Sequence, residues 1–427
     1  MSRARATEGD LLRLLTADGS LLGCPAKSTR LRGGPLRILV IKGKSQYGGT
    51  RLFADEAAAA FNRREHQTEV LDLGSGETYE ADLLAAASAK PYDLVLTFNI
   101  LGDFRSPEGL TMAELFGGAH VVWHTDYVLT NWDRLQGTPS TTSLLVVDPT
   151  QINALIAAGG EGRYRARFFP HPAVGEPVPD EPDVEAFMAA RPIPVLWSGG
   201  FVQPDRPWSA ASPTTQKVMD GAVELALARE WMAPHVALAQ MLRSVGFDVL
   251  DPAKRHNLAS ASVIDAAVRV RRRHAFLLAL AESGVELHIC GQGWEPHLHR
   301  FKGATYHGAV EMTQMVQLMR QSRLVLNTNG NFGAGSHERP FSASLAGAAT
   351  FSDFSRYYAA EFKRGENIEL FSWLDLPGAM DRLRALSADP ERCWRMARSA
   401  KQLTLARHTW DQQVPDILDA VGLTAGV

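Results

Sequence analysis

Short, mostly apolar runs recur along the first half of the chain, separated by polar or glycine-bearing stretches. They are Leu36–Ile41 (LRILVI), Thr68–Leu73, Tyr92–Asn99 (YDLVLTFN), His120–His124 (HVVWH), Leu144–Val147 and Arg163–Phe169. Runs of this length predict strands covered on both faces, as in a parallel sheet. Between them, the alanine-rich Arg51–Arg64 and Ile152–Ala158 read as helices. Strand, helix, strand is the opening of a Rossmann-type βαβ unit.

The pattern restarts after residue 194. Pro194–Ser198, Glu286–Cys290, Thr305–Gly308, Arg323–Thr328, Ala349–Asp353 and Asn367–Phe371 read as strands. Helical patterns cover Thr215–Ala228, Pro234–Ser244, Val268–Ser283, Met312–Ser322, Glu338–Ala346, Tyr357–Phe362, Pro377–Leu386 and Pro390–Leu405, and Phe247–Leu250 is strand-like. Met312, Met315 and Met319 read as core. The expected fold class is α/β, with two Rossmann-like domains. Residues 1–35 form an arm containing the amphipathic run Asp10–Leu15. Residues 36–175 form the first domain, the proline-rich 176–193 a linker, and 194–408 the second domain. Residues 204–270 exceed a simple crossover and predict a helical insertion over the cleft.

Length and composition agree with this division. A chain of 427 residues exceeds what one core supports. A net charge of −3 gives no reason to expect nucleic acid. Cys24, Cys290 and Cys393 are too widely spaced for a disulfide framework or a zinc site, which points to a reducing cytoplasm. No apolar run is long enough for a transmembrane helix, and the basic N-terminus lacks the apolar region of a signal peptide.

Candidate chemistry gathers where strands end, because ligands of open α/β sheets sit at their carboxyl ends. In the first domain these positions are Tyr47, Gly48 and Gly49 after the first strand, Asn99 after the third, and His124 with Asp126 after the fourth. The glycines also suit an ordinary crossover turn, and His124 and Asp126 also suit a simple strand cap. Gly199 and Gly200 follow the first strand of the second domain and can admit a phosphate or make a tight turn. Arg272 belongs to a basic run, Arg269 to Arg273, that reads either as a solvated helix face or as a reach toward an anion. His288, His297, His299 and His307 lie close in sequence but lack metal-ligand spacing.

The richest stretch runs from Arg323 to Asp353 (RLVLNTNGNFGAGSHERPFSASLAGAATFSD). A strand enters a loop with Asn329, Gly330, Asn331, Gly333 and Gly335, and a helix follows. Such a helix start offers free N–H groups and a positive dipole end to an anion. Ser336 is the expected N-cap. Glu338 and Arg339 stand where the helix begins, suited to hydroxyls and phosphate respectively.

This stretch resembles the donor-site segment of CgeB-like glycosyltransferases, bacterial enzymes of the GT-B fold that use nucleotide sugars. His337, Glu338, Arg339, Phe341, Ala346, Gly347 and Ala348 carry the likeness. Three further segments are similar to the family: His124 to Leu129, the exit Phe169-Pro170-His171-Pro172, and the turn Gly291-Gln292-Gly293-Trp294. The resemblance implies a donor site in the second domain that includes Asn329, Ser336 and Ser342, with Gly291, Gly293 and Trp294 near the base. Ser342 occupies a position where many GT-B enzymes place a ribose-binding Glu. It also implies an acceptor site on the first domain and a last helix, Thr409 to Val421, crossing back onto it. The expected reaction moves a sugar from a nucleotide sugar to an acceptor hydroxyl, on a small molecule, a glycan or a protein. No metal and no cofactor beyond the co-substrate is expected. The alternatives are a nucleotide-sugar epimerase and a non-catalytic sugar-nucleotide-binding protein.

Overall fold

The apolar runs of the first half form six strands: β1 (Arg37–Lys42), β2 (Gln67–Asp72), β3 (Leu94–Phe98), β4 (Ala119–His124), β5 (Ser143–Val146) and β6 (Arg165–Phe168). They make one parallel sheet in the order β2-β1-β3-β4-β5-β6. The second half repeats the scheme with β7 (Ile193–Ser198), β8 (His288–Cys290), β9 (Thr305–Tyr306), β10 (Ser322–Asn327), β11 (Ala349–Asp353) and β12 (Glu369–Phe371). These are also parallel, in the order β12-β11-β10-β7-β8-β9. Read from β9, the six follow the dinucleotide-fold order, third-second-first-fourth-fifth-sixth. The computed structural model describes residues 34–74, 81–82, 85–86, 91–99, 109–160 and 162–423. Asp10–Leu15 and the rest of the expected arm up to residue 33 lie outside the described residues.

Helix α1 (Gly49–Arg63) follows β1 directly and buries Phe53, Ala57 and Phe61 against the first sheet. In the second half, α2 (Pro213–Ala228), α3 (Pro234–Ser244) and α4 (Ala261–Glu282) separate β7 from β8. Helix α5 (Met312–Arg320) precedes β10, and α6 (Glu338–Leu345) links β10 to β11. The final helix, α7 (Trp410–Asp419), packs on the first sheet. There Trp410, Val414 and Ile417 join Phe53, Phe61 and Trp123 in one buried cluster.

The insertion departs from expectation. It does not roof the cleft. Val218, Val223, Leu238, Ile264 and Val268 share a buried cluster with Val122, Val128, Leu144, Ile152 and Leu155 of the first domain. The two halves therefore share a hydrophobic core as well as a linker. Phe247–Leu250 is no strand: it turns, and Val249 is buried in that shared core. A short apolar run of this kind does not distinguish strand from packed turn.

Hydrogen bonds add to the joint. The Ala334 N–H donates to Asp148 Oδ2 at 2.9 Å, and the Ser336 N–H donates to the Val147 carbonyl at 3.1 Å. Gly335 lies between them, and a Cβ there would stand 2.1 Å from the Val147 oxygen. The loop before α6 can press against the end of β5 only with glycine at this place.

Candidate functional site

The carboxyl ends of the two sheets face each other across a cavity of about 530 Å³. One wall comes from the first domain: the loop after β1 (Lys44 to Tyr47, Gly49, Thr50), Phe53 of α1, and Asn99, Thr125 and Asp126 after β3 and β4. The other wall has Ser198 at the end of β7 with Gly199 and Gly200 after it, Cys290 at the end of β8 with Gly291 after it, Val310, Met312 and Met315 near the start of α5, and His337, Glu338 and Arg339 at the start of α6. His171, from the segment joining the domains, completes it. At the mouth, Gln46 Nε2 donates to Gln292 Oε1 at 3.4 Å, so the walls meet across the cleft.

Helix α6 is the centre of the charged side. Its N-cap is His337 rather than the expected Ser336, with the ring Nδ1 3.4 Å from the Arg339 nitrogen. Ser336 is used elsewhere, its hydroxyl accepting from the His171 N–H at 2.9 Å. Glu338 is buried at 6% exposure, with a carboxylate oxygen 2.5 Å from His337 Nδ1. Burial pushes the Glu338 carboxyl up, but His337 beside it and Arg339 more than offset this and hold it at about 2. Burial outweighs Glu338 on the histidine, which stays below the usual imidazole range. His171 stacks on His337 with ring centroids 5.6 Å apart and donates from Nδ1 to the Ser336 carbonyl at 2.8 Å. Burial, with His337 beside it, brings the His171 ring down to about 3, so it is neutral.

Arg339 donates from Nη1 to Asn327 Oδ1 at 2.9 Å and, among the described residues, has no carboxylate in ion-pairing range. Arg273 of α4 stands within electrostatic reach of Arg339, His337 and Asp353. Burial, then Arg269 and Arg339, pulls its guanidinium down to about 10. Arg339 at a helix N-terminus, with Arg273 behind it and neither ion-paired to a carboxylate among the described residues, suits an anion.

Several expected residues serve the loops that hold this site. The Arg272 guanidinium is not on the cavity: it donates to the Ala226, Glu230 and Gly330 carbonyls and to Asn331 Oδ1. Successive helix residues point about 100° apart, so a run of arginines cannot show which one faces the ligand. Asn329 is buried and donates from Nδ2 to the Phe332 and Gly335 carbonyls. The Ser342 hydroxyl is fully buried and accepts from the Val174 N–H at 3.1 Å. Trp294 is fully buried and donates to the Gly199 carbonyl at 2.8 Å. Gly291 has φ 136°, and a Cβ there would lie 2.4 Å from the Gly199 oxygen, so the loops after β7 and β8 touch backbone to backbone. Gly293 (φ 78°) shapes the same turn but does not line the cavity, and neither does Gly48 (φ 69°).

The first domain brings a correction. His124 is 0% exposed and does not line the cavity. It is still in the sheet, paired with Val146, and that sheet is covered on both faces. Burial, with Arg134 nearby, pushes its ring down to about 3, which unsuits it as a base at neutral pH. Asp126, two residues on, is exposed to the cavity, and Asn99 Nδ2 donates to its Oδ2 at 2.9 Å. Asn99 has φ 49° and also accepts from the Thr125 N–H at 2.9 Å, so it fixes this corner. Met312 and Met315 pack with the core as expected and also line the cavity, while Met319 is fully buried. Asp148 was missed: nothing in the sequence showed that a carboxylate after β5 would anchor a loop of the other domain.

Among the described residues, no group of three His, Cys, Asp or Glu side chains is placed to hold a metal ion. No helix among them is long and apolar enough to cross a membrane.

Two facing parallel sheets with this cleft define the GT-B fold, and solved structures agree. The chain resembles HepE (Alr3699) of Anabaena, crystallised with UDP-glucose, at a TM-score of 0.50 and 13% identity, over 90% of this chain and 100% of that one. It resembles the sucrose-phosphate synthase of Thermosynechococcus elongatus at 0.53 and 10% identity, over 90% and 98%. It also resembles an alpha-glucosyltransferase in complex with UDP and DNA at 0.52 and 10% identity, over 91% and 100%. At these identities the likeness is one of fold. Residues 271–419 match the family described as Glycosyl transferase-like. No curated protein matches the chain.

Proposed function

We propose that the protein is a glycosyltransferase, CgeB-like in kind, that moves a sugar from a nucleoside-diphosphate donor to an acceptor hydroxyl. One observation carries this reading: Arg339 lines the interdomain cleft at the N-terminus of α6 beside the ionised Glu338, with Arg273 within electrostatic reach behind it, and neither forms an ion pair with a carboxylate among the described residues. The match of residues 271–419 to a glycosyl transferase-like family supports it. So does the UDP-glucose bound by a protein of the same fold.

In this reading the donor diphosphate lies against the α6 N-terminus, with Arg339 and then Arg273 countering its charge. Glu338 accepts hydroxyls of the donor. Gly199, Gly200 and Gly291 let the donor approach the backbone. Cys290, Val310, Met312 and Met315 give the base an apolar surface. Asp126, held by Asn99, receives the acceptor hydroxyl from the opposite wall. The acceptor oxygen bonds to the anomeric carbon as the bond from that carbon to the diphosphate oxygen breaks. The electron pair leaves with the diphosphate, and the hydroxyl proton passes to a base. Fixed guanidiniums aimed at the leaving group stabilise the charge that develops there. Because they do the work of a cation, activity should persist in EDTA. Buried, unpaired Cys290 and Cys393 fit a cytoplasmic setting.

The test is incubation with UDP-, GDP-, ADP- and dTDP-sugars, with and without an acceptor panel. Release of nucleoside diphosphate that depends on acceptor supports the reading. An epimerised donor, or binding without turnover under every condition, would replace it with the epimerase or the non-catalytic alternative.

A further inference from the structure

Tyr47, in the loop between β1 and α1, holds a backbone conformation that glycine usually supplies. Its φ is 59° and its ψ 16°, in the left-handed region that an aromatic residue seldom occupies. Such strain persists where the surroundings over-determine it, and it gathers at ligand clamps. Here the surroundings include the other domain. A Cβ on the next residue, Gly48, would lie 2.6 Å from Glu311 Oε2 at the N-cap of α5, so the loop is pressed onto the second domain. The Gln46 side chain, beside the Tyr47 hydroxyl, donates to Gln292 Oε1 at 3.4 Å. The Tyr47 hydroxyl is also within electrostatic reach of Tyr306, whose own hydroxyl donates to the Gly291 carbonyl at 2.8 Å. The Tyr47 ring is half-buried and lines the main cavity. These neighbours put a phenol of the first domain at the end of the cleft walled by Gly291 and the apolar side chains of the second.

We infer that the Tyr47 ring stacks on the base of the donor nucleotide, so that an aromatic side chain of the first domain completes the nucleotide site of the second. The inference rests on the glycosyl-transfer reading and adds the residue that covers the base in that same cleft. With the diphosphate at the α6 N-terminus, the nucleoside extends along the wall made by Cys290, Val310, Met312 and Met315. One face of the base meets that wall. Tyr47, fixed beside Gly291 and Tyr306, is placed to cover the other. An aromatic ring suits this task, because every base offers a π-face to stack on and the ring buries a large apolar area. Stacking of this kind adds affinity without choosing among bases. The left-handed backbone is what turns the ring from its own sheet toward the opposite domain, and the bound nucleotide then touches both walls of the cleft.

The experiment is calorimetry with UDP and uridine, or the matching pair for whichever nucleoside diphosphate binds best, on wild type, Tyr47→Phe, Tyr47→Ala and Tyr47→Asn. Asparagine is the control for the loop, since it tolerates the left-handed region and removes the ring. Tyr47→Phe should keep both affinities within about twofold of wild type. Tyr47→Ala and Tyr47→Asn should each weaken nucleotide and nucleoside alike by at least fivefold, with the advantage of the diphosphate over the nucleoside unchanged and, for Tyr47→Asn, a Tm close to wild type. Wild-type affinities in the Ala and Asn variants would overturn the inference. So would a loss confined to UDP, which would place the ring on the diphosphate, or a rise confined to the KM of the acceptor, which would place it under the acceptor. In each of those cases glycosyl transfer stands. If wild type binds no nucleoside diphosphate at all, glycosyl transfer fails, and this inference with it.

Discussion

Replacing Asp353 with Asn should remove a stability penalty that grows as pH rises. Asp353 ends β11 and is 1% exposed. Its oxygens accept from the Asn329 N–H at 2.6 Å and from Trp373 Nε1 at 3.0 Å. Burial outweighs these bonds and pushes the carboxyl up to about 7, from 3.8. The folded chain therefore holds a proton here between pH ~4 and ~7 that the unfolded chain has released, so stability falls as pH rises through that window. A shift of about three units at ~1.36 kcal/mol each is roughly 4 kcal/mol at and above neutral pH. Buried imidazoles oppose this: His124 and His171, brought down to about 3, cost stability as pH falls below ~6.5. Comparison with the wild type cancels that term. The amide also faces the Trp373 N–H with a donor, a pH-independent cost of about 1–3 kcal/mol. The assay is thermal unfolding of wild type and Asp353→Asn from pH 4.5 to 8.5 at fixed ionic strength. At ~2.1 cal/mol/K per residue the entropy of unfolding is about 0.9 kcal/mol/K for the chain, so the difference in Tm between the two should drift by about 4 °C in the variant's favour. Parallel Tm curves would refute the reasoning.

Other expectations follow from single contacts. Gly335→Ala places a Cβ 2.1 Å from the Val147 oxygen and should lower stability by about 1–3 kcal/mol, with nucleotide affinity falling too because the loop feeds α6; wild-type values of both would contradict the packing. His124→Ala should lower Tm and leave kcat of the folded enzyme within a few-fold, since the ring does not reach the cavity; a kcat loss above about a hundredfold with unchanged Tm would return it to the mechanism. Ser342→Glu should destabilise the protein by several kcal/mol on the order of a buried unpaired charge, without tightening nucleotide binding, because the hydroxyl is fully buried against the Val174 N–H. A tighter nucleotide complex would show that this side chain reaches the ribose after all.

The sheets were legible because strands covered on both faces are uniformly apolar, and LRILVI or HVVWH has no other easy reading. Their ends were less so. His124 and Asp126 looked equivalent as polar residues after a strand, yet His124 still pairs with Val146, while Asp126, beyond that ladder, meets the cleft. The motif at Glu338 and Arg339 was placed correctly at a helix start, but its cap shifted from Ser336 to His337, because a hydroxyl that fits an N-cap also fits the His171 backbone. Arg272 and Arg273 differ by one step around a helix, and the sequence does not say where that helix faces. The insertion was read as helical from its periodicity. Its partner was not readable, since an apolar stripe records that something covers it and not what.

The central claim is that the α6 N-terminus with its two guanidiniums binds a nucleoside diphosphate. The most direct measurement is the affinity of UDP against uridine, or of the matching pair for the best base, in wild type, Arg339→Met and Arg273→Met. The account expects the diphosphate to improve affinity by at least ~100-fold in the wild type, about 3 kcal/mol, and that advantage to shrink by at least tenfold in each variant. Equal affinity for nucleoside and nucleoside diphosphate, or an advantage untouched by both substitutions, would contradict it.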